Sequence, residues 1–177
     1  MNRLIKGYIQ CYTGNGKGKT TAAIGQAIRA AGSGLKTYII QFMKDYPYSE
    51  IFSLKPLEPW ITIEQVGNDD FVIKQKYPSK KDIATAKKGL EKAKKTMLSN
   101  KYDIIILDEI FVVIYFKLLD KKELLEFVSA KPENIELILT GRYCPQEIIE
   151  IADLVTEMQE IKHYYNSGVL ARQGIES

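Results

Sequence analysis

The sequence predicts an α/β fold in which a mainly parallel sheet carries helices on both faces. Segments typical of strands alternate with segments typical of helices along the 177 residues, and such alternation favours parallel strands joined by helical crossovers. Tyr102–Leu107 and Ile135–Leu139 are short, largely apolar runs, as expected of strands that are buried on both faces. The chain length predicts one main domain, which we assign to residues 1–162, followed by a C-terminal tail at residues 163–177.

The first half of the chain begins with a strand and a helix that flank a glycine-rich loop. Gly32 and Gly34 supply the stop signal for this helix, and Ser79 is expected to cap the next long helix. Residues 43–59 are predicted to be rich in turns, because prolines recur within them. The elements predicted in this half are strands at Leu4–Tyr12, Lys36–Phe42 and Trp60–Val66, and helices at Lys19–Ala31 and Ser79–Leu98.

The second half continues the alternation up to a short final strand. Its tail, His163–Ser177, has two glycines and little periodicity, and by composition alone it is predicted to be a loose terminus. The elements predicted in this half are strands at Tyr102–Leu107, Ile135–Leu139 and Leu154–Glu157, and helices at Ile110–Leu119, Lys121–Ala130 and Pro145–Ala152.

Composition and charge are those of an ordinary globular protein. Hydrophobic residues make up 45% of the sequence and charged residues 27%, and the formal net charge of +3 demands no polyanionic partner. Cys11 and Cys144 lie far apart in the sequence and are interpreted as reduced thiols of a cytosolic protein. No apolar stretch is long enough to span a membrane, and a strand that begins almost at the N-terminus argues against a cleavable signal peptide. We therefore expect a cytoplasmic protein without a membrane partner.

The strongest functional signal is the loop Thr13–Thr20, which consists of Thr-Gly-Asn-Gly-Lys-Gly-Lys-Thr. It follows a predicted strand and opens a predicted helix, and this context indicates a phosphate-binding loop. Glycines let backbone N–H groups approach a polyphosphate, while Lys19 can reach the outer phosphates and the Thr20 hydroxyl can hold Mg²⁺. Thr13 stands where the strict motif has glycine. The residues predicted to bind the nucleotide are Gly14, Asn15, Gly16, Lys17, Gly18, Lys19, Thr20 and Thr21.

A second signal is the apolar strand Ile104–Leu107, which is followed by Asp108 and Glu109. Beside a phosphate loop, an acid at the carboxyl end of such a strand faces Mg²⁺, directly or through water. Asp108 and Glu109 are therefore candidate metal residues together with Thr20. For Glu109 the sequence leaves three roles open, namely orienting water, holding the metal and binding a ribose hydroxyl. With a single histidine in the chain, Ser/His chemistry has little support.

Two further strand ends are predicted to lie at the same edge of the sheet. Arg142 in the turn Thr140–Arg142 could meet a phosphate or close the site, but a solvated arginine in a tight turn is equally consistent with the sequence. The segment Gln41–Lys44 could touch the ligand, and a half-buried strand end explains it equally well.

Residues 74–95 carry nine lysines against two acidic residues, a local charge of +7. Such a segment is compatible with a nucleic-acid-binding face. A solvated helix face is favoured, because the chain as a whole is only mildly basic. An ATPase module that binds nucleic acid is the alternative function that this segment leaves open.

Taken together, these motifs resemble the P-loop ATP:corrinoid adenosyltransferases, enzymes of cobalamin salvage and biosynthesis. The resemblance rests on the loop with threonine in place of the first glycine, and on Gln41–Lys44, Leu107–Glu109 and Thr140–Arg142. It continues through the tail and covers the chain from about Gly7 to Ile175. The tail residues that carry it are Ile161-Lys162-His163, Asn166-Ser167-Gly168-Val169, Ala171 and Gly174-Ile175.

The resemblance implies a RecA-like P-loop NTPase fold, a homodimer and a reaction in which a Co(I) corrinoid attacks the 5′-carbon of ATP and expels triphosphate. It implies ATP as co-substrate, Mg²⁺ or Mn²⁺ as the metal, a reductant protein as a further partner and no nucleic-acid partner. The residue roles that follow are Lys19 and Glu109 as catalytic residues, Thr20, Asp108 and Glu109 as metal residues, and Arg142 as a nucleotide contact. Phe71 is the residue that matches the Phe-x-Trp pair with which some members displace the lower ligand of the corrin.

Overall fold

The computed structural model describes residues 3–46, 48–68 and 77–176. The strands are β1 (Ile9–Thr13), β2 (Thr37–Phe42), β3 (Ile61–Val66), β4 (Ile104–Asp108), β5 (Glu136–Thr140) and β6 (Leu154–Glu157). The α-helices of these ranges are α1 (Lys19–Gly32), α2 (Ser49–Leu54), α3 (Lys80–Met97), α4 (Ile110–Tyr115), α5 (Lys121–Ser129) and α6 (Gln146–Ile151), and short 3₁₀ helices lie at Lys55–Leu57 and Tyr164–Ser167.

The strands form one sheet in the order β3-β2-β4-β5-β1-β6. Every neighbouring pair is parallel, so the predicted parallel α/β architecture is confirmed. Because all strands run the same way, their carboxyl ends meet at one edge of the sheet. That edge receives the end of β1, which leads into the glycine-rich loop, and the end of β4, which carries Asp108.

The sheet divides the core into two layers. Along β4, Ile105 and Leu107 pack on one side with residues of α3, α4 and α5, whereas Ile104 and Ile106 pack on the other side with residues of α1 and α2. This division follows from the strand, in which successive side chains point to opposite faces. Helices therefore cover both faces of the sheet, as predicted.

Helix α1 lies close to the sheet because its inner face consists of small side chains. Ala23, Ala27 and Ala30 recur at helical spacing, and none of them is more than 4% exposed. The helix starts directly after the glycine-rich loop, with Gly18 as its N-cap in the left-handed conformation at a φ of 115°. The N-terminus of α1 is thereby fixed at the carboxyl edge of the sheet.

The first strand starts at Ile9, and the prediction that it starts at Leu4 is wrong. The Gly7 N–H donates to the Glu133 carbonyl at 2.8 Å, and the Tyr8 N–H donates to the Glu136 carboxylate at 2.7 Å. These two N–H groups therefore bond to the turn before β5 and to a side chain, and the pairing with β5 begins only at Ile9.

Residues 43–59 contain more helix than the predicted turn-rich segment. Helix α2 and the 3₁₀ helix Lys55–Leu57 lie within them. Pro56 stands in the first turn of the 3₁₀ helix, where its missing N–H is not needed. Leu54, at 1% exposure, anchors α2 to the core. The prediction of turns was wrong for this part of the segment because Pro56 marks the start of a short helix and not a turn.

The end of helix α4 and the C-terminal tail also differ from the prediction. Helix α4 stops at Tyr115 rather than at Leu119, and Lys117 just beyond it has a φ of 59°, which a right-handed helix cannot contain. The tail is not loose, since it contains the 3₁₀ helix Tyr164–Ser167 and its Ile175 carbonyl accepts a hydrogen bond from the Lys17 ammonium at 2.8 Å. In the described ranges, no helix combines the length and apolar character needed to cross a membrane.

The close packing of α3 on the sheet at Gly89 can be tested by replacing this glycine with alanine, with Gly25 of α1 as the matched control. A Cβ at Gly89 of α3 would lie 2.9 Å from Val66 Cγ1 and 3.0 Å from Phe42 Cε1, whereas a Cβ at Gly25 of α1 would meet nothing within 4 Å. Gly25→Ala should raise the free energy of unfolding by about 0.5–1 kcal/mol, because alanine favours the helix. Gly89→Ala should lower it by about 1–3 kcal/mol through overpacking. Urea unfolding measures both, and a gain of stability in Gly89→Ala would contradict the packing described.

Candidate active site

The glycine-rich loop is held in shape by backbone contacts with the chain that follows β6. Gly14 has a φ of 93°, and a Cβ there would lie 2.4 Å from the Met158 carbonyl oxygen. The Gly16 N–H donates to that carbonyl at 2.6 Å, and the Met158 N–H donates to the Thr13 carbonyl at 2.9 Å. Only glycine tolerates both this conformation and this close approach at position 14.

The threonine that replaces the first glycine of the standard motif has a contact of its own. Thr13 is the last residue of β1 and is 8% exposed. Its hydroxyl accepts a hydrogen bond from the Cys144 N–H at 3.3 Å. Thr13 thus links the start of the phosphate loop to the turn after β5, which carries Arg142.

Lys19 is the first residue of α1, at the end of the loop, and is 7% exposed. Its ammonium group donates to the Gly16 carbonyl at 2.8 Å. Burial lowers the pKa of Lys19; the negative charge of Glu109 works in the opposite direction, and the positive charge of Arg142 lowers the pKa further. A cation that has lost much of its water interacts more strongly with an anionic ligand than a surface lysine does.

Asp108 is the hydrogen-bonding centre of the site, and its side chain is 1% exposed. Its Oδ1 accepts from the Thr20 hydroxyl at 2.8 Å and from the Thr140 hydroxyl at 2.7 Å. Its Oδ2 accepts from the Gln41 amide and from the Lys44 ammonium, both at 3.1 Å. The carboxylate therefore joins the phosphate loop to the ends of β2 and β5.

Lys44 supplies the positive charge that accompanies this buried carboxylate. Its side chain is 12% exposed, and its ammonium also lies 3.5 Å from Glu50 and 4.7 Å from the centre of the Tyr48 ring. Burial alone would lower the pKa of Lys44, but the carboxylates of Asp108 and Glu50 outweigh burial and raise it above the ordinary lysine value. Lys44 is therefore held as a cation inside the site.

Glu109 directly follows Asp108 and borders the cavity of the site. It has a φ of 62° and is the N-cap residue of α4, and its N–H donates to the Thr140 hydroxyl at 3.0 Å. Burial, followed by the negative charge of Asp108, raises the pKa of the Glu109 carboxyl, although Lys44, Lys19 and Arg142 work in the opposite direction. The two adjacent acids thus differ, because Asp108 is tied to its own chain and Glu109 faces the ligand space.

A cavity of about 650 Å³ lies beside the phosphate loop. The loop and the start of α1 form one wall, and α2 with the preceding Lys44 forms another. Residues 174–176 of the tail close a third side. The lining residues include Lys17, Thr20, Thr21, Ile24, Ile28, Lys44, Glu50, Glu109, Ile175 and Glu176.

The donor set at the head of this cavity fits a hard divalent cation. Thr20 and Glu109 line the cavity and offer a hydroxyl and a carboxylate, and the buried Asp108 lies behind them, in hydrogen-bond contact with the Thr20 hydroxyl. In the described part of the chain, no group of three or more His, Cys, Asp or Glu residues could hold a metal by itself. Mg²⁺ typically takes one or two carboxylates and completes its shell with water and substrate phosphates, so the residues present suit Mg²⁺ rather than a zinc cage.

The remaining predicted residues have different positions. Asn15 and Arg142 are exposed, Thr21 is exposed on the wall of the cavity, and the ammonium of Lys17 points to the tail rather than into the loop. Arg142 still lies close enough to act on the pKa of both Lys19 and Glu109. Phe71 lies outside the described residues.

The lysine-rich helix α3 is partly occupied by contacts within the chain. Lys87 forms an ion pair with Glu123 at 3.0 Å, and Lys92 forms one with Glu64. Lys74 and Lys76 lie outside the described residues. The pairs support the interpretation of α3 as a solvated face.

Several residues of the site were not predicted as site residues. Tyr48 and Glu50 come from the segment predicted as turns, and Ile175 and Glu176 come from the tail predicted to be loose. Gln41 had a usable signal, because a polar side chain inside an apolar strand needs a partner once it is buried.

The family model described as ATP:corrinoid adenosyltransferase BtuR/CobO/CobP matches residues 5–177. The chain belongs to this family. The predicted family resemblance is therefore confirmed, and with it the assignment of the chain as an ATP:corrinoid adenosyltransferase.

Curated relatives agree with the family assignment over nearly the whole chain. The corrinoid adenosyltransferase of Escherichia coli (strain K12) is 35% identical over 172 residues, which cover 97% of this chain and 86% of that protein. The corrinoid adenosyltransferase CobA of Salmonella typhimurium is 34% identical over 172 residues, with the same coverage of 97% and 86%. The corrinoid adenosyltransferase of a Sinorhizobium species is 32% identical over 183 residues, with coverage of 97% and 80%.

Among solved structures, a KaiC-like protein from Pyrococcus horikoshii superposes with a TM-score of 0.56 at 18% identity. The match covers 89% of this chain and 75% of that chain. At this identity the likeness concerns the fold alone, and it agrees with the predicted RecA-like P-loop fold.

The pairing of Lys44 with Asp108 can be tested by a double-mutant cycle. Lys44→Met should lower the free energy of unfolding by about 3 kcal/mol, because it leaves a buried carboxylate without its cation. Adding Asp108→Asn should recover most of this loss. Lys87→Met, which breaks an exposed pair, should cost less than about 1 kcal/mol. Urea unfolding measures all variants, and a double variant as unstable as the sum of the singles would contradict the coupling.

The raised pKa of Glu109 predicts how stability depends on pH. The folded state binds the Glu109 proton more tightly than the unfolded state, so stability falls as the pH rises from the ordinary glutamate pKa to the raised value, and it stays lower above that value. Glu109→Gln should therefore stabilise the protein at about pH 8, and its gain should shrink towards about pH 4. Urea unfolding at both pH values checks this. Glu126→Gln, an exposed change on α5, is the control, and an equal pattern in both variants would contradict the prediction.

Proposed function

We propose that the protein transfers the 5′-deoxyadenosyl group of ATP to the Co(I) centre of a corrinoid and releases inorganic triphosphate. The observation that carries this proposal is a cavity lined by Lys17 of the phosphate loop, by Thr20 and by Glu109, in a chain of the ATP:corrinoid adenosyltransferase family. The cavity volume of about 650 Å³ is in the range of small-molecule sites.

The phosphate loop would hold the triphosphate part of ATP. Backbone N–H groups of the loop and the N-terminus of α1 would together attract an anion, whereas the Gly16 N–H is taken up by the Met158 carbonyl. Lys19 lies in the mouth of the loop, and its ammonium would exchange the Gly16 carbonyl for a phosphate oxygen. We assign Gly14, Asn15, Gly16, Lys17, Gly18, Lys19, Thr20 and Thr21 to nucleotide binding, and Arg142 to the outer rim of the site.

The proposed adenosyl transfer requires the protein to stabilise charge and does not require it to transfer a proton. The electron pair of Co(I) forms the new bond to the 5′-carbon, and the bond from that carbon to the triphosphate oxygen breaks with its electrons on the triphosphate. No proton moves in this step, so no general base is required. Negative charge grows on the leaving group, where Lys19 and the loop N–H groups stabilise it.

Thr20 and Glu109 would hold the metal ion, with Asp108 in a supporting role. Asp108 fixes the Thr20 hydroxyl through their hydrogen bond of 2.8 Å and would contact the metal through water. Glu109 faces the cavity and would bind the metal directly. When bound, Mg²⁺ neutralises part of the charge on the triphosphate.

We propose a homodimer that works in the cytoplasm, where ATP is available, and that receives Co(I) corrinoid with the help of a reductant protein. Phe71 is proposed to approach the corrinoid. Residues 1–162 would form the nucleotide-binding domain and residues 163–177 the tail.

Incubation with ATP, Mg²⁺ and chemically reduced cobalamin tests the function and the role of Lys19 together. The wild-type protein should form a light-sensitive adenosylcorrinoid, seen by visible spectroscopy, with one triphosphate released per product. Lys19→Ala should slow this by about 10²-fold or more, since it removes a preorganised charge from the leaving group, while circular dichroism stays native.

Lys81→Ala, an exposed change on α3, is the matched control and should keep full activity. Release of ADP and phosphate, stimulated by DNA or RNA, would instead support the ATPase alternative. Undiminished adenosylation by Lys19→Ala would contradict the role given to that residue.

A further inference from the structure

Two half-exposed isoleucines lie on different walls of the nucleotide cavity. Ile28 of α1 is 49% exposed and Ile175 of the tail is 52% exposed, and both line the cavity that begins at the phosphate loop. The less exposed Ile24 continues the same wall of α1. Apolar side chains that line a pocket are the usual partners of the apolar part of a ligand. The triphosphate has no such part, whereas the nucleoside does.

The end of the tail is held in a defined shape by contacts among its own residues. The Glu176 carboxylate accepts hydrogen bonds from the Tyr164 hydroxyl and from the Arg172 N–H, the latter at 2.8 Å. The Arg172 guanidinium lies 3.3 Å from the same carboxylate and 4.8 Å from the centre of the Tyr164 ring. These contacts bend residues 164–176 into a hook that presents Ile175 at its tip.

Lys17 attaches this hook to the phosphate loop. Its ammonium donates to the Ile175 carbonyl at 2.8 Å and lies 3.7 Å from the Glu176 carboxylate. Lys17 is one residue before Gly18, the N-cap of α1. The position of Ile175 is therefore set from the loop that holds the phosphates.

We infer that the tail hook is part of the nucleotide site, where Ile175 contacts the nucleoside and Lys17 acts as a positioning residue that holds Ile175 over the cavity. The inference rests on the proposed function only in taking ATP as the occupant of this cavity. The tail would thereby help the site to distinguish ATP from inorganic triphosphate, the product of the proposed reaction. Triphosphate can occupy the loop, but it has no apolar part to cover Ile28 and Ile175.

The test compares the dissociation constants of ATP and inorganic triphosphate for the full-length protein by calorimetry in the presence of Mg²⁺. Ile175→Ala should weaken ATP binding by about five- to tenfold, since burial of each methylene contributes to affinity. It should change triphosphate binding by less than about twofold. Leu170→Ala is the matched control, because Leu170 is 73% exposed in the same tail and does not line the cavity.

A second variant tests the positioning role of Lys17. Lys17→Gln should weaken the binding of both ligands, because it removes a charge from the loop, but it should weaken ATP binding more. Lys17→Arg should restore the preference for ATP, since it can still donate to the Ile175 carbonyl.

Equal losses for ATP and triphosphate in Ile175→Ala, or no loss for ATP, would overturn the inference. A wild-type protein that binds ATP but forms no adenosylcorrinoid would refute the proposed function, and the two affinities would still decide the role of the tail.

Discussion

The site depends on one buried carboxylate and on the donors that surround it. Asp108 lies at the end of the central strand β4, where it is 1% exposed, and burial of an unpaired charge would be very costly. The chain provides four donors, Thr20, Thr140, Gln41 and Lys44, so that each oxygen receives two hydrogen bonds. A buried ion pair of this kind is weak evidence for stability, because desolvation can exceed the attraction between the charges. Its effect here is geometric, since it fixes the phosphate loop, β2 and β5 relative to one another.

The parallel sheet explains why these groups meet. The carboxyl ends of β1, β2, β4 and β5 share one edge, and each contributes part of the site at the end of the strand or within two residues of it. The left-handed turn at Glu109 then separates two adjacent acids. Asp108 ends the strand and is hydrogen-bonded to other residues of the protein, while Glu109 is the N-cap residue of α4 and borders the cavity. Its raised pKa means that the ionised form is held at a cost in stability, and such a cost is typical of groups placed for a ligand rather than for the fold.

The part of the fold that depends on local pattern could be predicted from the sequence. The loop at 13–20, the cap at Ser79 and the buried strands β4 and β5 were all evident, because glycine spacing, a capping residue and apolar runs act over a few residues. Helix α2 was not evident, because Pro56 signals a helix boundary and a turn equally well. Glu50 and Ile175 could not be assigned to the site, since their roles arise from contacts between distant segments. The hydrogen bond between Thr13 and Cys144 is of the same kind, and it gives a physical reason for threonine at a position where the motif has glycine.

A phosphate loop that holds triphosphate as a leaving group binds the same phosphates in the substrate and in the product, unlike a loop that delivers a phosphoryl group to an acceptor. Under the proposed function, the product triphosphate would keep the contacts that the loop makes with the phosphates of ATP, so the loop alone would not distinguish the two. The apolar walls formed by Ile28 and Ile175 would offer that distinction, because only ATP carries a nucleoside to cover them. Once the adenosyl group had moved to cobalt, the inferred contact with Ile175 would be lost, although Lys17 would still hold the tail through the Ile175 carbonyl. Triphosphate would then be held by the loop without the added contribution of the tail, and this difference would favour its replacement by a new molecule of ATP.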